Sequence, residues 1–212
     1  MTRIGILSVT CAAMLTIACG REGRDTDMNR PASDTAAVGT AGDRTADAGD
    51  RQWLEDRVLA GLTEVRLGEI ASQKGQHEDV KAFGRTMVQD HSMAGDELKQ
   101  IAARHNVMVP SDLDDDHREK ANRLSALEPR QFDREYIDTM VDDHEKTLEA
   151  LEDRLDKEGE DENPLYTPKK ADNPFEMELN QWAAKTAPTV RKHLETAKQI
   201  DEKLGRMTTA PR

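Results

Sequence analysis

Residues 86–91 read TMVQDH and residues 139–144 read TMVDDH, the same phrase with one position changed, 53 positions apart in a chain with six histidines. Each copy lies on an apolar stripe of helical spacing. Around the first, Val80, Phe83, Met87, His91, Ala94, Leu98, Ile101 and His105 recur at steps of three or four. Around the second, Phe132, Ile137, Met140, His144, Leu148, Leu151 and Leu155 do the same. Both histidines therefore point to the inner face of a helix, one turn after a methionine.

Working outward, the spacing predicts long helices over about 51–74, about 77–105, from Pro129 onward, and from Asn173 onward. The first carries Leu54, Val58, Leu62 and Val65 and ends at Gly75. Pro129 suits a first helical turn, where its missing N–H is not needed. Asn173-Pro174 with Glu176 is a helix start of the capping-box kind, and its stripe runs Phe175, Leu179, Trp182, Thr186, Val190, His193, Ala197, Ile200 and Leu204. Pro188 inside that helix removes a bond to the Ala184 carbonyl and predicts a kink. A shorter helix over about 112–127 has few apolar residues and is expected to cross the surface; residues 159–172 read as a loop. Aromatic residues make up 3% of the chain and alternating β-branched runs are absent, so no strands are expected. The fold class that follows is all-α: a ferritin-like four-helix bundle with a long crossover, containing a short helix, between the second and third long helices. Asp112, Asp114 and Asp116 imitate the start of a calcium loop, but His117 stands where glycine is needed and Arg123 where glutamate is needed. They read instead as acids at a helix start.

The ends carry an address. Residues 1–18 have one charge, Arg3, and an apolar run of about 15 residues from Ile4 to Ala18, too short to span a bilayer comfortably. Ala18-Cys19 at its end resembles a bacterial lipoprotein signal, with Cys19 the lipidated residue and the membrane reached through that anchor. Gly20 is not the aspartate that retains many such proteins in the inner membrane, so the expected place is the outer membrane, facing the periplasm. Residues 19–50 hold almost no large apolar side chain and read as a disordered tether; residues 51–206 form the bundle and 207–212 a tail. Cys11 leaves with the signal, so the folded part contains no disulfide. Removing residues 1–18 takes away Arg3 and no acid, so the net charge of −12 becomes −13, which argues against nucleic acid as a partner.

If the crossover makes the second and third long helices parallel, His91 and His144 each lie 14 residues, roughly 21 Å, from the same end of the bundle. The repeat then reads as two helical hairpins related by an approximate two-fold, each giving one copy. His193 falls within about two turns of the same level. Two glutamates compete on the first helix: Glu69 is on the stripe but high, Glu64 is off the main stripe but nearer the histidines. His91, His144, His193 and one glutamate are donors that a single transition-metal ion of the iron, copper or zinc kind would take. Asp90 and Asp143 precede the two histidines and, pointing about 100° away, are placed to bond a neighbouring helix and support another histidine. The plainer reading of the same residues is a polar layer that fixes helix register.

The phrases EVRLGEIA (64–71), VKAFGRTMVQDH (80–91), FDREYIDTMVDDH (132–144) and APTVRKHLETA (187–197) resemble a bacterial family of unknown function, numbered 4142 among such domains, over about residues 53–204. The resemblance implies a ferritin-like fold and an envelope address. It also implies that Glu64, Asp90, His91, Asp133, Tyr136, His144 and His193 are recurrent polar positions, which favours Glu64 over Glu69 and adds Asp133 and Tyr136 as supports. True di-iron bundles need Glu-x-x-His; here Val88 and Val141 stand three residues before His91 and His144, which speaks against ferroxidase chemistry. Hydrolase motifs are absent. The expectation is an envelope lipoprotein with a binding or stress-protective role rather than catalysis, the alternative being a structural or protein-interaction module.

Overall fold

Asp47 opens the bundle, its side chain accepting the Gly49 N–H, and helix α1 follows over Ala48–Lys74. The computed structural model describes residues 47–160 and 164–209, all within one compact unit, Gly42–Arg212. The signal, Cys19 and the tether up to residue 46 lie outside the described residues. Helix α1 begins a turn before its first apolar residue because Asp50 is buried against Arg154, at 2.7 Å, an ion pair that spacing alone does not reveal.

Helix α2 spans Glu78–Arg104 and α3 Asp115–Ala126. Helix α4 spans Pro129–Glu152 and α5 Pro174–Thr209. Asn106, with φ 54°, ends α2 in the left-handed conformation asparagine tolerates, and Val107 N–H reaches the Ala102 carbonyl at 2.9 Å. Asp114 caps α3 by accepting the His117 N–H at 2.9 Å, so the aspartate cluster serves a helix start. Asn173 caps α5 by accepting the Phe175 N–H at 2.9 Å, and the helix continues through Pro188.

Side-chain contacts give the helix directions. Trp53 near the start of α1 donates to the Ala150 carbonyl near the end of α4. Lys203 near the end of α5 pairs with Asp79 at the start of α2, while Arg104 at the end of α2 pairs with Glu178 at the start of α5. Helices α1 and α4 are thus antiparallel, as are α2 and α5, and α2 runs parallel to α4. Helix α1 packs on α2 and α4, and α5 on the same two, so α2 and α4 face each other across a diagonal. The architecture is the four-helix bundle with a crossover that the stripes predict.

Two expectations need correcting. The chain between α4 and α5 is not all loop: Leu155–Glu158 (β1) pairs antiparallel with Leu165–Pro168 (β2). Leu155, read as the last helical stripe residue, is in β1, and Tyr166 of β2 is buried with its hydroxyl on Glu152 at 2.6 Å. Four-residue strands rich in charge carry too little alternation to be seen. Second, the repeated phrase is not a duplicated hairpin. Its copies sit on α2 and α4, the second helix of one hairpin and the first of the next. The operation that superimposes them runs along the bundle axis and exchanges α1 with α5, against chain order.

The core falls into two apolar clusters. One gathers Leu54, Val58, Leu98, Leu151, Leu179 and Trp182; the other gathers Leu67, Phe83, Met87, Phe132, Tyr136 and Met140. Between them the four long helices bring together four buried titratable side chains, one from each: Glu64, His91, His144 and His193.

Candidate metal centre

Helix α1 brings Glu64 into the core through glycine. A Cβ on Gly68 would meet the Gly84 carbonyl oxygen at 2.6 Å, and one on Gly84 would meet that of Gly68 at 2.7 Å. The two backbones therefore touch one turn below Glu64, closer than any side chain allows. The signal for this was present as a mid-helix glycine on each strand of the hairpin, in EVRLGEIA and VKAFGRTM, and sequence reasoning passed over it.

Glu64 is 2% exposed and His144 fully buried. Glu64 Oε2 lies 2.8 Å from His91 Nδ1, and Oε1 lies 3.5 Å from His144 Nδ1. The nearer contact of His144 Nδ1 is the Met140 carbonyl at 2.8 Å, which fixes Nδ1 as the protonated nitrogen. On α5, His193 Nε2 lies 2.9 Å from Asp90 Oδ2. The ring centroids of His91, His144 and His193 form a nearly equilateral triangle with edges of 5.5, 5.4 and 5.5 Å.

Each ring is held by one nitrogen and leaves the other over. His91 Nε2, His144 Nε2 and His193 Nδ1 are buried and have no hydrogen-bond partner. One nitrogen from each ring lies within 4.8 Å of those of the other two. A buried imidazole nitrogen without a partner is costly, and three such rings in one cluster offer what a metal ion would satisfy.

Burial would push the Glu64 carboxyl up, but the charges of His91, His144 and His193 and the bond to His91 outweigh it and hold it at about 2. For His91, burial is outweighed by Glu64 and the imidazole is raised. For His144, burial wins and lowers it. Burial and the neighbouring His91 bring His193 down to about 4. Near neutral pH, His144 and His193 are thus neutral, the form that ligates a metal.

The remaining predicted residues divide. Asp90 supports His193. Asp143 does not support a histidine: it turns outward to Lys120 of α3 at 2.7 Å. Asp133 sits at the turn between α1 and α2, accepting the N–H of Gln76 at 2.9 Å and of His77 at 2.7 Å. Tyr136 is buried below the cluster, ring to ring with Phe83 at 6.4 Å. Burial and the Glu64 charge push its hydroxyl far up, so it stays protonated. Glu69 is outside the site, 3.2 Å from Arg66.

Comparison with known proteins places the scaffold. The profile of the family described as Domain of unknown function (DUF4142) matches residues 35–164. The chain belongs to the DUF4142 family. That span contains Glu64, Asp90, His91, Asp133, Tyr136 and His144, whereas His193 on α5 lies beyond it. No curated protein matches the chain. Among solved structures, the crystal structure of a DUF305 fragment from Deinococcus radiodurans is similar, with TM-score 0.57 and 13% identity, covering 76% of this chain and 98% of that one. At that identity the likeness to this DUF4142 protein is one of fold. Among the described residues no helix is long and apolar enough to cross a membrane.

Proposed function

We propose that this protein is a cell-envelope lipoprotein, anchored through Cys19 in the outer membrane and facing the periplasm, whose bundle binds one transition-metal ion at His91, His144 and His193. The observation that carries the reading is three buried rings, each with one unpartnered nitrogen, that bring one nitrogen apiece to within 4.8 Å of one another. Glu64 supplies the balancing negative charge and reaches both His91 and His144. Three imidazoles and a carboxylate suit iron, copper or zinc. Nitrogens all within 4.8 Å of one another have a common point no more than about 2.8 Å from each, against ~2.0–2.1 Å for a zinc–nitrogen bond, so an ion would need the rings to move by less than an ångström.

When bound, such an ion supplies a positive centre that neutralises Glu64. The chain's own residues do the rest. The Met140 carbonyl and Asp90 orient two of the rings, and the apolar clusters above and below exclude water. A groove between α2 and α5, about 690 Å³ and lined by Phe83, Thr86, Asp90, Thr189 and His193, gives solvent a route to the His193 edge of the site. Binding or protection against metal stress fits this closed arrangement better than turnover.

The competing reading is a polar layer that only pairs helices, favoured by the Glu64–His91 and Asp90–His193 contacts, which need no ion. Metal analysis of protein purified without an affinity tag separates the two. One equivalent of iron, copper or zinc, lost in His144→Ala with helicity retained, supports the metal site. Metal-free protein that takes up none of the three on addition, with His144→Ala merely melting earlier, leaves the structural reading.

A further inference from the structure

On the opposite side of Glu64 from the histidines, α1, α3 and α4 enclose a crevice of about 130 Å³. It has room for about four waters, at roughly 30 Å³ each. Arg57 of α1, Lys120 of α3 and Lys146 of α4 line it, with Thr147 beside Lys146. The feature that needs explaining is Arg57. Its Nε and Nη1 are buried and neither has a hydrogen-bond partner. A guanidinium presents five donors in a rigid fork and has no neutral form to retreat to. Half-buried with two of its nitrogens unpartnered, it carries a desolvation cost that hydrogen bonds do not repay there. Burial lowers its pKa, and the charges of Asp56 and Glu64 only partly oppose this.

We infer that this crevice is a binding site for one small oxyanion of the phosphate or sulfate kind, held by Arg57 and by Lys146. Lys120 is already engaged by Asp143 at 2.7 Å and contributes field rather than a bond. The Thr63 hydroxyl donates to the Leu59 carbonyl at 2.8 Å, leaving Thr147 as the neighbouring hydroxyl. Two carboxylates also line the crevice, Glu64 and Asp143. Glu64 is turned to the histidines and Asp143 to Lys120. Three cationic side chains against these two leave the crevice net positive on a chain whose overall charge is −12. Helix α3, the one element of the crossover, forms one wall, so the crossover has a binding role as well as a topological one. The inference stands whether or not a metal occupies the histidine cluster.

The test is thermal unfolding of the full chain in inorganic phosphate against sodium chloride at matched ionic strength, with the parent, Lys146→Met and Arg57→Met compared. Phosphate raises the stability of most proteins by exclusion from their surfaces, and that part is common to all three. The expected result is an additional, saturable rise in the parent. It weakens about tenfold in apparent affinity in Lys146→Met and more in Arg57→Met, as loss of charge-assisted bonds to an anion requires. Lys146 is exposed, so its variant keeps the test sharp even where Arg57→Met folds poorly. Identical phosphate responses in the parent and Lys146→Met overturn the inference, as does a parent response that never saturates.

Discussion

The two copies of the repeated phrase end in different surroundings. His91 is fastened to a carboxylate, Glu64, while His144 is fastened mainly to its own helix through the Met140 carbonyl. Asp90 reaches across to His193 on α5, whereas Asp143 reaches away to Lys120 on α3. One turn or two below, Phe83 answers to Tyr136, and Gly84 to Ile137. Gly84 lets α1 touch α2, but Ile137 fills core volume against other helices. Helical periodicity therefore delivers two rings to one level regardless of context. What each aspartate and each small or large neighbour does is decided by which helix lies alongside. The identical words give identical placement and different chemistry.

If both rings nonetheless serve one ion, His91→Ala and His144→Ala should lose metal affinity equally. The loss should exceed the roughly 10–100-fold carried by a supporting residue, measured by competitive titration against a chelator. A large loss in one copy only breaks the symmetry of placement argued here.

The glycine–isoleucine pair sharpens the same comparison in stability. Ile137→Ala should cost about 2–5 kcal/mol by leaving a cavity. Gly84→Ala should cost about 1–3 kcal/mol by overpacking, and it alone should also weaken the metal, because the added methyl pushes α1 and Glu64 away from His91. Urea unfolding and metal titration on both variants give the answer.

The copies should also titrate in opposite directions. In chelator-treated protein, the His91 imidazole should titrate above its ordinary 6.5 and His144 below it, read by the ring-proton shifts in NMR. The raised His91 favours folding at low pH, an advantage lost as pH rises through its folded value. The lowered His144 and His193 do the reverse, since the unfolded chain takes up protons first as pH falls below 6.5, with His193 in the fold following only at about 4. The His91 contribution is already complete at pH 6.5 and offsets nothing below it, so stability should fall between pH 6.5 and 4, by on the order of 1–3 kcal/mol. Glu64, held at about 2, adds a further loss as pH drops from its ordinary 4.5 toward 2. A flat profile across that range would contradict the buried network.

The smallest effect separates the aspartates. Asp90→Asn should weaken metal binding about tenfold through His193. Asp143→Asn should leave the metal unchanged and cost less than about 1 kcal/mol of stability, as a partly exposed ion pair does.

The bundle was legible because its signal is periodic and repeated over four long helices, and the histidines were legible because they interrupt apolar stripes at matching depths. Glu64 lies off the stripe of α1, so only its depth along the helix and the family's recurrent positions pointed to it, and the close approach of α1 to α2 at Gly68 and Gly84 was not read. The partner of Asp143 was hidden because α3 has too little apolar surface to reveal where it docks. The β1–β2 hairpin was hidden because four-residue strands carry almost no pattern. Arg57 looked like any charge on a solvated face until α3 and α4 were seen to close over it.

The most direct test is a crystal of the chain soaked with copper(II) or zinc and examined by anomalous diffraction. A single peak inside the triangle of His91, His144 and His193, about 2 Å from one nitrogen of each, is the predicted result. A triangle left without a peak, with ions only on the acidic surface, would contradict the claim that these rings are assembled to hold a metal.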